Sequence, residues 1–166
     1  MSGFVAAIYL APGGGEPMQA RKAARAVPGR GLDGDRYFKG AGAFSGRVSP
    51  GREVTELTLI EDEVIEHLKR DLGLDVTAAD SRRNLVTRLI PLNDLVGAEF
   101  RVGNVLLRGT GLCEPCVSLV KSPENTHLLR GLAHKGGLRA QILSEGVIAV
   151  GDLVGPSATA QLAAVG

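Results

Sequence analysis

Apolar residues fall into short runs separated by glycine and proline, and the spacing inside the runs changes along the chain. Phe4 to Leu10 is an apolar run that stops at Ala11-Pro12-Gly13-Gly14-Gly15, and it reads as a buried first strand. Gln19 to Val27 is a second extended stretch, although its alanines also suit a helix. Gly29 to Gly46 is rich in glycine and charge and reads as one long ordered loop, a length that is often functional. Glu53 to Ile60 alternates polar and apolar residues as a strand does. From Glu61 to Leu72 the spacing turns helical: Val64, Ile65, Leu68 and Leu72 share one face. Acidic residues open this helix, Lys69-Arg70 close it, and Gly73 follows the C-cap.

In the second half, Asp80 to Thr87 is a polar turn running into a short strand. Glu99–Val102 and Val105–Arg108 flank Gly103-Asn104, a two-residue hairpin signal. Ser122 and Pro123 mark the N-cap and first position of a helix to Ala133, which stops at Gly136-Gly137. Leu138–Leu143 and Val147–Val150 read as a hairpin around Ser144-Glu145-Gly146, and Leu153-Val154 as a last strand. The sum is about seven short strands and two helices without βαβ alternation. The fold class is therefore mainly β with a few helices, a β-barrel or strongly curved sheet. One domain is expected over 1–166, with a core from about residue 4 to 155 and a fraying tail at 156–166.

Composition changes this picture little. The 23 glycines among 166 residues show no repeat and suit many tight turns. A net charge of +1 gives no general attraction to nucleic acid or anionic membrane. No apolar run approaches the ~18 residues that cross a bilayer, and the N-terminus lacks a basic signal region, so a cytoplasmic location is expected.

Four segments can carry chemistry. Cys113-Glu114-Pro115-Cys116 follows a strand and precedes a helix, where a thiol can attack, bind metal or carry a persulfide. A structural zinc site needs further ligands, and His67, His127 and His134 form no HxxxH pair. A redox pair is disfavoured because Glu114 raises a neighbouring thiol pKa; simple packing suits Cys113 better than Cys116. Gly31-Leu32-Asp33-Gly34-Asp35-Arg36-Tyr37 reads either as a turn with an internal Asp–Arg pair or as part of a site. Arg82-Arg83-Asn84 offers fork-shaped donors to phosphate or carboxylate. His134-Lys135-Gly136-Gly137 either cradles an anion or opposes a helix dipole.

These segments occur in a particular order, joined by Arg52-Glu53-Val54-Thr55, Leu95-Val96-Gly97-Ala98-Glu99-Phe100-Arg101-Val102-Gly103, Gly136–Leu143 and Val150-Gly151-Asp152. From about Phe4 to Gly155 the series resembles the MOSC family, the C-terminal domain of molybdenum cofactor sulfurases, and most closely its small stand-alone bacterial type. The resemblance implies a MOSC-type, pyruvate-kinase barrel-like β-barrel that binds the molybdenum cofactor (molybdopterin) or relays sulfur to it. It places the family's cysteine at Cys116, as molybdenum ligand or persulfide carrier, within Pro115-Cys116-Val117-Ser118-Leu119. Arg82, Arg83 and Asn84 then become holders of the pterin phosphate, with Arg36, His134 and Lys135 as secondary candidates. No pyridoxal phosphate is expected, since the sulfurases' aminotransferase-like domain is missing from this sequence. The partners implied are a cysteine desulfurase or other sulfur donor, and a molybdoenzyme or electron-transfer protein. Two competing readings are a molybdenum-dependent reductase component for N-hydroxylated substrates and a non-catalytic, partner-binding barrel.

Overall fold

The structure is a computed structural model and describes residues 2–40, 55–73, 75–113 and 135–157. Its strands are β1 (Gly3–Leu10), β2 (Gln19–Arg21), β3 (Ala23–Val27), β4 (Gly31–Leu32), β5 (Leu57–Glu61), β6 (Leu85–Arg88), β7 (Glu99–Val102), β8 (Val105–Leu112), β9 (Leu138–Ile142), β10 (Gly146–Ala149) and β11 (Leu153–Pro156). One helix, α1 (Asp62–Leu72), and two 3-10 turns at Ala78–Ser81 and Leu92–Leu95 complete the described elements.

Seven strands close into a barrel in the order β1, β6, β5, β9, β8, β7, β11 and back to β1. Every pair in the ring is antiparallel except β5–β6. A parallel pair needs a crossover connection, and α1 lies on that path. Closure removes the unpaired edges that an open sheet would expose. β2 continues the sheet from the far half of β1, and β10, β3 and β4 form a separate three-stranded sheet.

Alternation along the strands sorts side chains between two layers. Leu57, Leu59, Leu85, Phe100, Val102, Leu107, Leu138 and Ala140 belong to the central core. Ile60 and Val86 point the other way and pack with Val64, Ile65 and Leu68 of α1 in a second cluster. The helical spacing of the α1 apolar positions thus has a counterpart on the outside of β5 and β6. Gly73 ends the helix at φ 63, a left-handed conformation that suits glycine, and its N–H bonds Leu68 O.

Several sequence expectations change in detail. Gln19–Val27 divides at Lys22 into β2 and β3, which belong to different sheets. β5 begins at Leu57, and its polar Thr58 is fully buried because a side chain from the β6 approach bonds it. Leu138–Leu143 and Val147–Val150 yield strands, but not a hairpin. Both edges of β9 are taken by β5 and β8, so β10 pairs with β3 and Ser144–Glu145 links two sheets. Within the long loop, Gly31–Leu32 pairs back onto β3. At the other end Pro156 still pairs with Phe100, so the strand runs into the expected tail. The Gly103-Asn104 hairpin is as expected, with Val102 opposite Val105. The Ser122–Ala133 helix lies outside the described residues.

Candidate functional site

Five chain segments meet beside the start of β6: the loop after β1, the turn after β4, residues 81–84, the end of β8, and Gly136-Gly137 before β9. Asp35 joins the first two. Fully buried, it accepts hydrogen bonds from Ala11 N (3.0 Å), Tyr37 N (3.2 Å) and Arg36 Nη1 (3.1 Å). The internal Asp–Arg pair expected of this turn is present, and it is also a tether. Arg36 Nη2 then donates to Arg82 O at 2.8 Å, which carries the tether to the approach of β6.

Arg82 caps the 3-10 turn in a left-handed conformation, φ 59 and ψ 27, which is costly for a residue with a Cβ. Its Nη1 donates to Glu16 O at 2.8 Å, while its Nη2 is buried with no hydrogen-bond partner among the described residues. Burial, and then the Arg36 guanidinium, lower its pKa from the ordinary arginine value. Arg83 is only 5% exposed; its Nε donates to Gly136 O at 2.7 Å and its Nη2 is likewise buried and unpartnered. A buried donor without an acceptor costs about 1–3 kcal/mol, and more when charged. Two such donors on adjacent arginines call for an acceptor-rich anion.

Cys113 is fully buried at the end of β8, and its N–H donates to Gly137 O at 2.8 Å. Gly137 has φ +106, and a Cβ there would stand 2.0 Å from Leu59 O, so only glycine permits this close approach. The Tyr37 ring lies 5.0 Å from the Arg36 guanidinium carbon. Burial pushes the phenol pKa up against the opposing pull of Arg36, and Cys113 and Arg83 are both within electrostatic reach. The arginines, the tyrosine and the end of β8 therefore share one microenvironment, three residues before Cys116 in the chain.

The MOSC domain model matches residues 45–155. The chain belongs to the MOSC domain family. Solved structures of similar fold include the YuaD protein of Bacillus subtilis, with TM-score 0.75, 18% identity, and coverage of 93% of this chain and 94% of that one. YiiM from Geobacillus stearothermophilus follows at TM-score 0.66 and 15% identity, covering 93% and 75%. YiiM from Escherichia coli gives 0.62 and 18%, covering 95% and 70%. A comparison with curated proteins finds no match.

In this MOSC domain the candidate residues separate. Arg36 reaches the backbone of Arg82, and the adjacent Arg82 and Arg83 are held by Glu16 O and Gly136 O respectively. Asn84 adjoins them, but its amide is already committed: Oδ1 accepts from Thr58 N (3.0 Å) and Thr58 Oγ1 (3.3 Å), and Nδ2 donates to Tyr9 O (3.1 Å). It pegs β1, β5 and β6 together. Lys135 is exposed and lines a groove of about 380 Å³ with Glu61, Glu63, His67, Pro91 and others. His67 is half-exposed and bonded to Asp71 at 2.6 Å. Cys116, His127 and His134 lie outside the described residues. Among those described, no group of three His, Cys, Asp or Glu side chains is placed to hold a metal, and no helix is long and apolar enough to cross a membrane. The loop residues Glu16 and Met18 were not legible as site neighbours, because only the long-range arginine contacts bring them in.

Proposed function

We propose that this MOSC domain holds the molybdenum cofactor, with Arg82 and Arg83 receiving its anionic phosphate and the Cys116 thiolate supplying a soft ligand or a sulfur-carrying site. The observation that carries the reading is two buried guanidinium nitrogens without a partner among the described residues, Nη2 of Arg82 and of Arg83. Phosphate is the kind of acceptor they lack: its oxygens take charge-assisted bonds and remove the cost of leaving such donors bare. Arg36 adds positive charge, and Asp35 fixes its orientation. When bound, the cofactor supplies molybdenum redox chemistry, which side chains lack.

The chain's own contribution is binding and orientation. Arg83 is clamped by Gly136 O, so its fork is preorganised before an anion arrives, and Arg82 bonds Glu16 O of the loop after β1. A thiolate at Cys116 is soft enough for molybdenum. The same thiolate can attack the terminal sulfur of a donor's persulfide. The donor S–S bond then breaks, its cysteine leaves as a thiolate, and Cys116 keeps the transferred sulfur.

The test is elemental analysis and intact mass of protein made in cells competent for molybdenum cofactor synthesis. Bound molybdenum, or one extra sulfur, should be lost in Cys116→Ser and retained in Cys113→Ser. Equal loading of Cys116→Ser and the unaltered protein would overturn the assignment.

A further inference from the structure

The glycine-rich loop between β1 and β2 is tied to side chains of the proposed anion site and its surroundings. Arg82 Nη1 donates to Glu16 O, and Arg36 Nη1 approaches Met18 Sδ at 3.6 Å. At its root, Ala11 N donates to Asp35. Between these ties the loop makes one tight turn, Glu16 N to Gly13 O at 3.2 Å, and Gly14 to Pro17 are exposed. Gly15 sits at φ +80 with open space around it.

We propose that residues 12–18 form a roof that closes over an oxyanion bound at Arg82 and Arg83, with the Arg82 guanidinium as its latch. This rests on the reading of those arginines as an anion site. The guanidinium is a rigid plane, so the directions of Nη1 and Nη2 are fixed relative to each other. With Nη1 on Glu16 O, Nη2 is the nitrogen left without a partner. An anion on Nη2 immobilises the plane and so holds Nη1 on the loop carbonyl. The coupling is reciprocal: whatever favours the closed loop tightens the anion, by the same factor. The glycines at 13–15 let the segment swing, and Gly15 adopts its closed backbone without the penalty another residue would meet.

Hydrogen exchange of the full chain, with and without inorganic phosphate at constant ionic strength, tests this alongside calorimetric titration of phosphate. Phosphate should bind and slow exchange at residues 13–16 and 18 by about 5-fold or more. Arg82→Lys keeps the charge but not the fork, so phosphate should still bind, more weakly, without protecting the loop. Gly15→Ala touches no site residue, yet by straining the closed backbone it should weaken phosphate by about 5-fold. Binding without loop protection, protection that survives Arg82→Lys, or an unchanged affinity in Gly15→Ala overturns the roof and leaves the anion site standing. No calorimetric binding at all overturns both.

Discussion

Replacing Arg82 separates the backbone cost of the site from its binding role. The residue holds φ 59 and ψ 27, a region that costs a non-glycine residue about 1–2 kcal/mol. Arg82→Gly and Arg82→Ala remove the same side chain, so loss of the bond to Glu16 O and of the unpartnered Nη2 is common to both. Their difference reports the backbone. Glycine gains the full relief but is freer in the unfolded chain, which returns about 0.5–1 kcal/mol. The glycine variant should therefore be more stable than the alanine variant by about 1 kcal/mol, or about 2–4 °C in Tm for a chain of this size. Urea denaturation at equal slopes, with thermal melts beside it, measures this directly. An alanine variant as stable as the glycine variant would show that Arg82 is not strained. Both variants should lose phosphate affinity, so the glycine form can exceed alanine in stability without recovering function.

Other outcomes follow from particular contacts. Asn84→Ala strips hydrogen bonds from Thr58 N and Tyr9 O inside the fold and should cost about 2–4 kcal/mol, seen as a lower urea midpoint. Leu68→Ala empties a fully buried position between α1 and the barrel, with an expected loss of about 2–5 kcal/mol by the same assay. Burial holds the Glu56 carboxyl above its usual pKa while it accepts from Ile142 N. Its folded pKa exceeds its unfolded one, so its contribution is complete below the unfolded pKa and is lost as pH rises through the folded value. Glu56→Gln should therefore gain stability relative to the unaltered chain between acid and neutral pH. A difference that is flat across that range would contradict the assigned shift.

The barrel was legible where local rules act alone. The Gly103-Asn104 turn fixed the β7–β8 hairpin, and the helical spacing of Val64, Ile65 and Leu68 fixed α1. What local rules miss is competition between edges. Leu138–Leu143 and Val147–Val150 look like a hairpin because only a short turn separates them, yet closing the barrel occupies both edges of β9. The site was legible as a set of residue types but not as an arrangement. Adjacent arginines suggested donors for an anion; that Asn84 serves as a structural peg depends on Tyr9 and Thr58, far away in sequence. Asp35 was readable as Arg36's neighbour, whereas its bond to Ala11 N follows only from the folded chain.

In the proposed function, Arg82 and Arg83 receive the phosphate of a molybdenum-bearing pterin. The most direct measurement is the pterin and molybdenum content of Arg83→Met beside the unaltered protein, both made in cells that synthesise the cofactor. Methionine keeps much of the buried volume and removes the fork. Molybdenum and pterin should appear together at about one per chain in the unaltered protein, as a single resident site requires, and both should be lost in a folded Arg83→Met. Equal loading of the two proteins would contradict it.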